Sequence, residues 1–268
     1  MMSDLISSLA SVHPSAEIAD SVEIGPNCVV GPNVRIEGGT RLIANVVVRG
    51  RVRIGRYNVI HPGAVIGGEP QDISYREEPT GVTIGDHNII REGVTINRGT
   101  AKDVGTTAVG NHCYLMACSH IAHDCQIGSR VIVANGSMLG GHCRVHDFAS
   151  ISGAVAVHHY VTIGSYAFVG GMSRVLQDVA PFMLCEGQPA KPRCVNLVAL
   201  KRNDFPPDAI RALTDAHRLL YRARVGLDHA REILRSESKL LPQVTQLLDF
   251  MEQQQQGRFG RAQQRKAA

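Results

Sequence analysis

Aliphatic residues recur every six positions along the first two thirds of the chain. The series runs through Val12, Ile18, Ile24, Val30, Ile36, Leu42, Val48, Ile54, Ile60 and Ile66, and continues in phase at Ile84, Ile90 and Ile96. It then shifts by one residue and runs from Val109 to Val175 without a gap. All 25 anchors are Ile, Leu or Val. A small or β-branched residue often stands two places before the anchor (Val22, Cys28, Val34, Thr40, Cys113, Cys125), and Gly often follows it. A period of six matches neither a helix nor a long alternating strand. It matches one short strand and one corner per repeat, with three repeats closing a triangular coil. β-branched anchors suit the strands, and the glycines are expected to supply positive φ at the corners. Stacked coils pair their backbones about 4.8 Å apart. The predicted fold is an all-β solenoid, a parallel β-helix over residues 1–190.

Two segments break the rhythm. Residues 67–83 keep the phase but lose the anchors at 72 and 78, and residues 97–108 shift it. Both read as loops thrown out from the coil, where function commonly sits. Past Pro206-Pro207 the apolar period becomes helical, which predicts two or three helices from 207 to 255 in a C-terminal helical domain, 191–255. The glutamine-rich residues 256–268 read as a disordered tail.

The 268 residues are 44% hydrophobic and 19% charged, with 4% aromatics and no Trp, which argues against aromatic base-stacking platforms. No stretch approaches the ~18–20 apolar residues of a membrane span, and Met1 to Leu5 show no signal-peptide pattern. Seven cysteines without a Cys-x-x-Cys favour a reducing cytoplasm. Residues 191–268 carry 15 Lys/Arg against 8 Asp/Glu, a basic part suited to an acidic partner or simply a solvated face.

Residues 18 apart share a corner on successive coils. His123, Gly141 and His159 form one column, Asp124, His142 and Tyr160 the next, and Ala122, Gly140 and His158 a third. None is an anchor, so their side chains are expected to point outward. His120 lies on the same strand as His123. Such a cluster suits proton transfer, because imidazole titrates near neutral pH, and a carboxylate such as Asp124 can fix its tautomer. Gly141 offers an unobstructed N–H for an oxyanion, or is simply a corner glycine. Scattered surface histidines are the plainer reading. His112, Cys113, Cys118, His120, His123 and Cys125 are dense enough to raise a metal site, but Cys113 and Cys125 occupy the inward slot, as Cys28 and Cys143 do, and His-x-x-His alone is a weak zinc signal. No metal is expected.

The hexapeptide run, together with His-Ile-Ala-His-Asp-Cys (120–125), Gly-Gly-His (140–142), Arg-Glu-Gly-Val-Thr-Ile-Asn-Arg-Gly-Thr (91–100) and the helical C-terminus, resembles the acyl-carrier-protein–UDP-N-acetylglucosamine O-acyltransferases of lipid A biosynthesis. The resemblance implies a left-handed coil and a homotrimer with active sites between subunits. It implies no cofactor, acyl carrier protein with its phosphopantetheine arm as donor, and a UDP-sugar as acceptor. By the same resemblance His123 is the general base, Asp124 its partner and Gly141 the oxyanion donor. His120, His142 and His158 line the sugar-nucleotide site, and Asp72 contacts the sugar. Asn196 and Arg202 stand on the uridine and phosphate side, and Gly171 limits acyl length. Ser74, His159, Val198, Asn203 and Asn97 depart from the family pattern. Three other readings are N-acylation of a 3-amino sugar analogue, a metalloenzyme of the carbonic-anhydrase type, and a non-catalytic paralogue.

Overall fold

The computed structural model describes residues 5–265. Met1 to Asp4, on which part of the leader reading falls, and residues 266–268 of the tail lie outside the described residues. The chain winds as a left-handed parallel β-helix whose three faces are sheets of nine, eight and ten strands. Face one runs from Ser11–Val12 to Arg174–Val175, face two from Glu17–Ile18 to Thr162–Ile163, and face three from Glu23–Ile24 to Phe168–Val169. Face three then continues into Met183–Gly187 and the antiparallel Ala190–Val195. The sheet of face three thus extends to Val195.

Register confirms the 18-residue coil. Ile121 pairs Leu139, and Leu139 pairs Val157. Across the first loop the step is 30 residues (Ile66 to Ile96), and across the second it is 25 (Ile96 to Ile121). Twelve extra residues are two whole repeats, so the phase survives; seven are one repeat plus one, so it shifts. Both loops leave the corner between faces one and two, over residues 69–80 and 98–105.

The anchors from Ile24 to Val175 are buried and stack into a dry column, with the slot residues Cys28, Cys113, Cys125 and Cys143 beside them. The glycines meet the expectation only in part. Positive φ falls three residues after the anchor, at Gly39, Gly63, Gly93 and Gly136 but more often at residues with a Cβ such as Asn27, Asn33, Asn45, Asp124, His142 and Tyr160; of the glycines one place after an anchor, Gly67 has it and Gly25, Gly31, Gly110 and Gly140 do not. Asn and Asp tolerate that conformation best among residues with a Cβ. The glycine after the anchor instead answers close approach: a Cβ on Gly110 would lie 2.6 Å from the Gly128 carbonyl carbon, and one on Gly140 2.8 Å from the His159 nitrogen.

Four α-helices follow: α1 Leu197–Arg202, α2 Pro207–His217, α3 Leu227–Ser236 and α4 Pro242–Gln256. The short α1, begun by an Asn196 cap, was invisible to periodicity because six residues give less than two turns. The tail is a correction. Gly257–Arg258 and Arg261–Arg265 form an antiparallel hairpin rather than a disordered end. It is held by polar contacts, which composition does not reveal. Asp178 Oδ2 accepts from the Ala262 amide, Arg261 donates to the Leu176 carbonyl, and Gln263 donates to the carbonyls of His142 and Tyr160.

Candidate active site

The corner between faces one and two carries the site. His120 is on the face-one strand His120–Ile121 that leads into the corner, and residues 122–124 make the turn itself. His123 Nδ1 lies 2.9 Å from Asp124 Oδ2. Asp124 also accepts from the Thr100 amide (2.9 Å) and the Thr100 hydroxyl (2.7 Å), while its own amide donates to Thr107 Oγ1. A carboxylate can only accept, so the His123 proton on this edge sits on Nδ1. That leaves Nε2 with its lone pair and without a protein partner among the described residues.

Asp124 was expected to face outward with its column. It leaves the coil as expected, but it is 1% exposed because loop 98–105 covers it. His142 is buried for the same reason. Burial pushes the Asp124 carboxyl up, yet the hydrogen bonds from His123 and Thr100, with His142 nearby, outweigh it and hold the group below the usual carboxylate range. An ionised carboxylate therefore backs the His123 ring. His120 is pulled below the usual histidine value, first by burial and then by His123. Its Nδ1 is 2.7 Å from Thr95 Oγ1.

One coil on, the bare Gly141 backbone lies under the His123 ring. Its N–H has no hydrogen-bond partner among the described residues, which leaves it available to an oxyanion. His142 meets His123 edge-on at 5.1 Å and stacks on Tyr160 at 4.4 Å. Its Nδ1 is 3.1 Å from Asp103 Oδ2, and its Nε2 is 3.8 Å from Asp124 Oδ2. His158 packs on His159 with ring centres 3.8 Å apart. Burial, and then His158, lowers His159. From the first loop, Asp72 accepts from Ser74 and from Lys102, and the Lys102 contact above all holds its carboxyl well below the usual range. His123, Asp124 and His142 offer ligand atoms within 4.8 Å of one another, though His123 Nδ1, His142 Nδ1 and both Asp124 oxygens already have the hydrogen-bond partners just described.

The structure thus brings His120, His123, Asp124, Gly141, His142 and His158 to one corner, with Asp72 joined to them through residues 100–103. It does not bring the other three there within one chain. Asn196 caps α1 and donates to the Tyr166 carbonyl, so both ends of its amide are in use. Arg202 is exposed in the last turn of α1. Gly171 lies on the edge between faces three and one, beside Ser152 and Gly153. Sequence reasoning missed Thr100, Lys102, Asp103 and Thr107. Thr107 sits two before an anchor, in the inward slot; the other three sit in a loop whose path no repeat predicts.

Fold and site together define a hexapeptide-repeat transferase. A bacterial transferase hexapeptide model of six repeats matches residues 106–141, and a UDP-N-acetylglucosamine O-acyltransferase domain 2 model matches residues 178–259. Among solved structures, LpxA, a UDP-N-acetylglucosamine acyltransferase from Bacteroides fragilis, is 35% identical with a TM-score of 0.88 over 92% of this chain and 96% of its own. LpxA from Acinetobacter baumannii is 38% identical, with a TM-score of 0.88 and the same coverage. The enzyme from Moraxella catarrhalis is 39% identical, with a TM-score of 0.87 over 91% of this chain and 95% of its own. This chain belongs to the UDP-N-acetylglucosamine O-acyltransferase family.

Proposed function

We propose that this enzyme transfers a 3-hydroxyacyl group from acyl carrier protein to the 3-hydroxyl of UDP-N-acetylglucosamine, the first step of lipid A synthesis. The observation that carries the reading is the His123–Asp124 pair poised over the bare backbone of Gly141. His123 Nε2 takes the proton of the sugar hydroxyl as its oxygen attacks the thioester carbonyl. The negative charge that forms on the carbonyl oxygen is met by the Gly141 N–H. The C–S bond then breaks, and the phosphopantetheine thiolate takes the proton back from His123. Asp124, ionised throughout, keeps the ring oriented and stabilises the intermediate imidazolium. No step calls for a metal or a redox cofactor.

The working unit is a homotrimer with sites between subunits. Faces one and three turn apolar side chains outward, including Val29, Ile89, Ile132 and Met138, whereas face two shows Glu17, Arg35, Arg53, Gln126 and Arg144. A second copy laid on face one would cover the apolar surface between the His123 edge and the Gly171 edge. That surface suits an acyl chain and gives Gly171 its role as a limit on length. The same docking would let Arg202 and the Asn196 turn of one copy serve a neighbour's site. The basic helical region suits the acidic carrier protein through rim electrostatics. None of the described helices is long and apolar enough to cross a membrane, and the seven free thiols suit the cytoplasm. The test is turnover by the purified protein with 3-hydroxyacyl carrier proteins of several lengths and with both the 3-hydroxyl and 3-amino sugar nucleotides. Absence of ester product from every donor would refute the reading.

A further inference from the structure

We infer that Lys102 and Asp103 form a charge bridge that positions the two walls of the acceptor pocket, Lys102 acting on Asp72 and Asp103 on His142. Neither residue is marked by the repeat, and both belong to the seven residues by which the second loop exceeds one coil. The loop is tied down at Thr100, whose amide and hydroxyl both donate to Asp124. Two places further on, two successive side chains of opposite charge diverge. Lys102 Nζ crosses to the first loop and stops 2.6 Å from Asp72 Oδ2. Asp103 Oδ2 turns back to the corner that carries His142, 3.1 Å from His142 Nδ1, while Oδ1 accepts from the Val104 amide.

Each contact removes a specific freedom. Stacking on Tyr160, with ring planes 5° apart, fixes the plane of the His142 ring but not which way round it lies. A half-turn about χ2 would exchange Nδ1 with a carbon. The Asp103 carboxylate selects one orientation and places the proton on Nδ1, which points Nε2 toward Asp124 and the reacting corner. On the other wall, Ser74 donates amide and hydroxyl to Asp72 Oδ1, and Lys102 occupies Oδ2. All in-plane approaches to that carboxylate but one or two are then taken, so a sugar hydroxyl meets it at a defined angle. The Lys102 side chain is half exposed, so the pair contributes little to folding. Its effect is on where Asp72 points. Because Asp72 and His142 are the residues proposed to contact the sugar nucleotide, the bridge governs acceptor binding and leaves the carrier-protein side alone.

The inference rests on the acyl-transfer reading, and the experiment separates the two. Steady-state kinetics of full-length Lys102→Ala and Asp103→Asn are measured with acceptor and donor varied in turn. The expected result is an acceptor KM raised about tenfold in each variant, with the donor KM within about twofold of the parent. Adding Asp103→Asn to His142→Gln should bring no further loss, since the residue acts through that ring. An unchanged acceptor KM, equal changes in both KM values, or the full Asp103 effect persisting in the His142→Gln background would overturn the bridge. Should the parent turn over no acceptor, the functional reading falls. Imidazole nitrogen NMR of full-length protein then still decides: His142 protonated on Nδ1 in the parent and altered by Asp103→Asn supports the bridge, and an unaltered ring signal sinks it.

Discussion

A Cβ placed on Gly141 would lie 2.5 Å from Cε1 and 2.7 Å from Nε2 of His123. The imidazole rests on a backbone that must carry no side chain. The φ of Gly141 is one that other residues adopt, so Gly141→Ala folds but pushes the ring off its Asp124 hydrogen bond. Turnover is expected to fall about 10²-fold or more. Steady-state kinetics with a circular dichroism control check it, and near-parent turnover would mean the ring has somewhere else to go.

His123→Ala removes the proposed base while leaving Asp124 its two Thr100 donors. The coil persists, and kcat should drop by about 10²–10⁴-fold, read in a product assay against the parent. Retention of more than a tenth of the activity would remove His123 from the mechanism.

Gly171 has only ordinary contacts around its missing Cβ, 3.4 Å to the Gly153 carbonyl and 3.5 Å to Ser152 Oγ. A larger residue fits there without disturbing the coil and projects from the edge. Gly171→Met is expected to shift donor preference toward shorter acyl chains, measured as the ratio of kcat/KM across a ladder of carrier-protein donors. An unchanged ladder would dissociate Gly171 from chain length.

Asp178 receives amides from Thr162 and Ala262 on its two oxygens, yet burial pushes its carboxyl up to about 6. A raised carboxyl binds its proton more tightly in the folded state than in the unfolded one. Its contribution is therefore fully present below about pH 4 and fades as pH rises through 6. The hairpin that Asp178 holds should exchange its amide hydrogens more slowly at pH 5 than at pH 7.5, after correction for intrinsic rates. Asp178→Asn should flatten that dependence. The lowered Asp124 works in the opposite sense, losing stability only as the pH falls toward and below its depressed value.

Leu115, fully buried in the column, stands for the anchors. Leu115→Ala should cost about 2–5 kcal/mol by lost burial and cavity formation, measured by denaturant unfolding. A cost under 1 kcal/mol would mean the column collapses around the gap.

The coil was legible because a solenoid makes long-range contacts periodic. A residue's neighbours lie 18 away, so columns such as His123–Gly141–His159 follow from counting. Even there the glycines were only partly legible, because the period locates a corner without saying which of its residues turns left-handed and which meets the next coil's backbone. The Gly257–Arg265 hairpin was illegible for a different reason: Gln254, Arg261 and Gln263 donate to carbonyls 76–121 residues away, and no composition encodes such a match.

By itself the sequence determined the stacked triangular coil, the two places where it is interrupted, and the corner at which the histidines gather, since all three depend on spacing alone. Only the tertiary structure decided that Asp124 is buried and ionised, that Nε2 of His123 is the free nitrogen, and that Lys102 and Asp103 reach opposite walls of the site. Those facts depend on the path of an aperiodic loop, and that path is set by Thr100 finding a carboxylate 24 residues away across the corner.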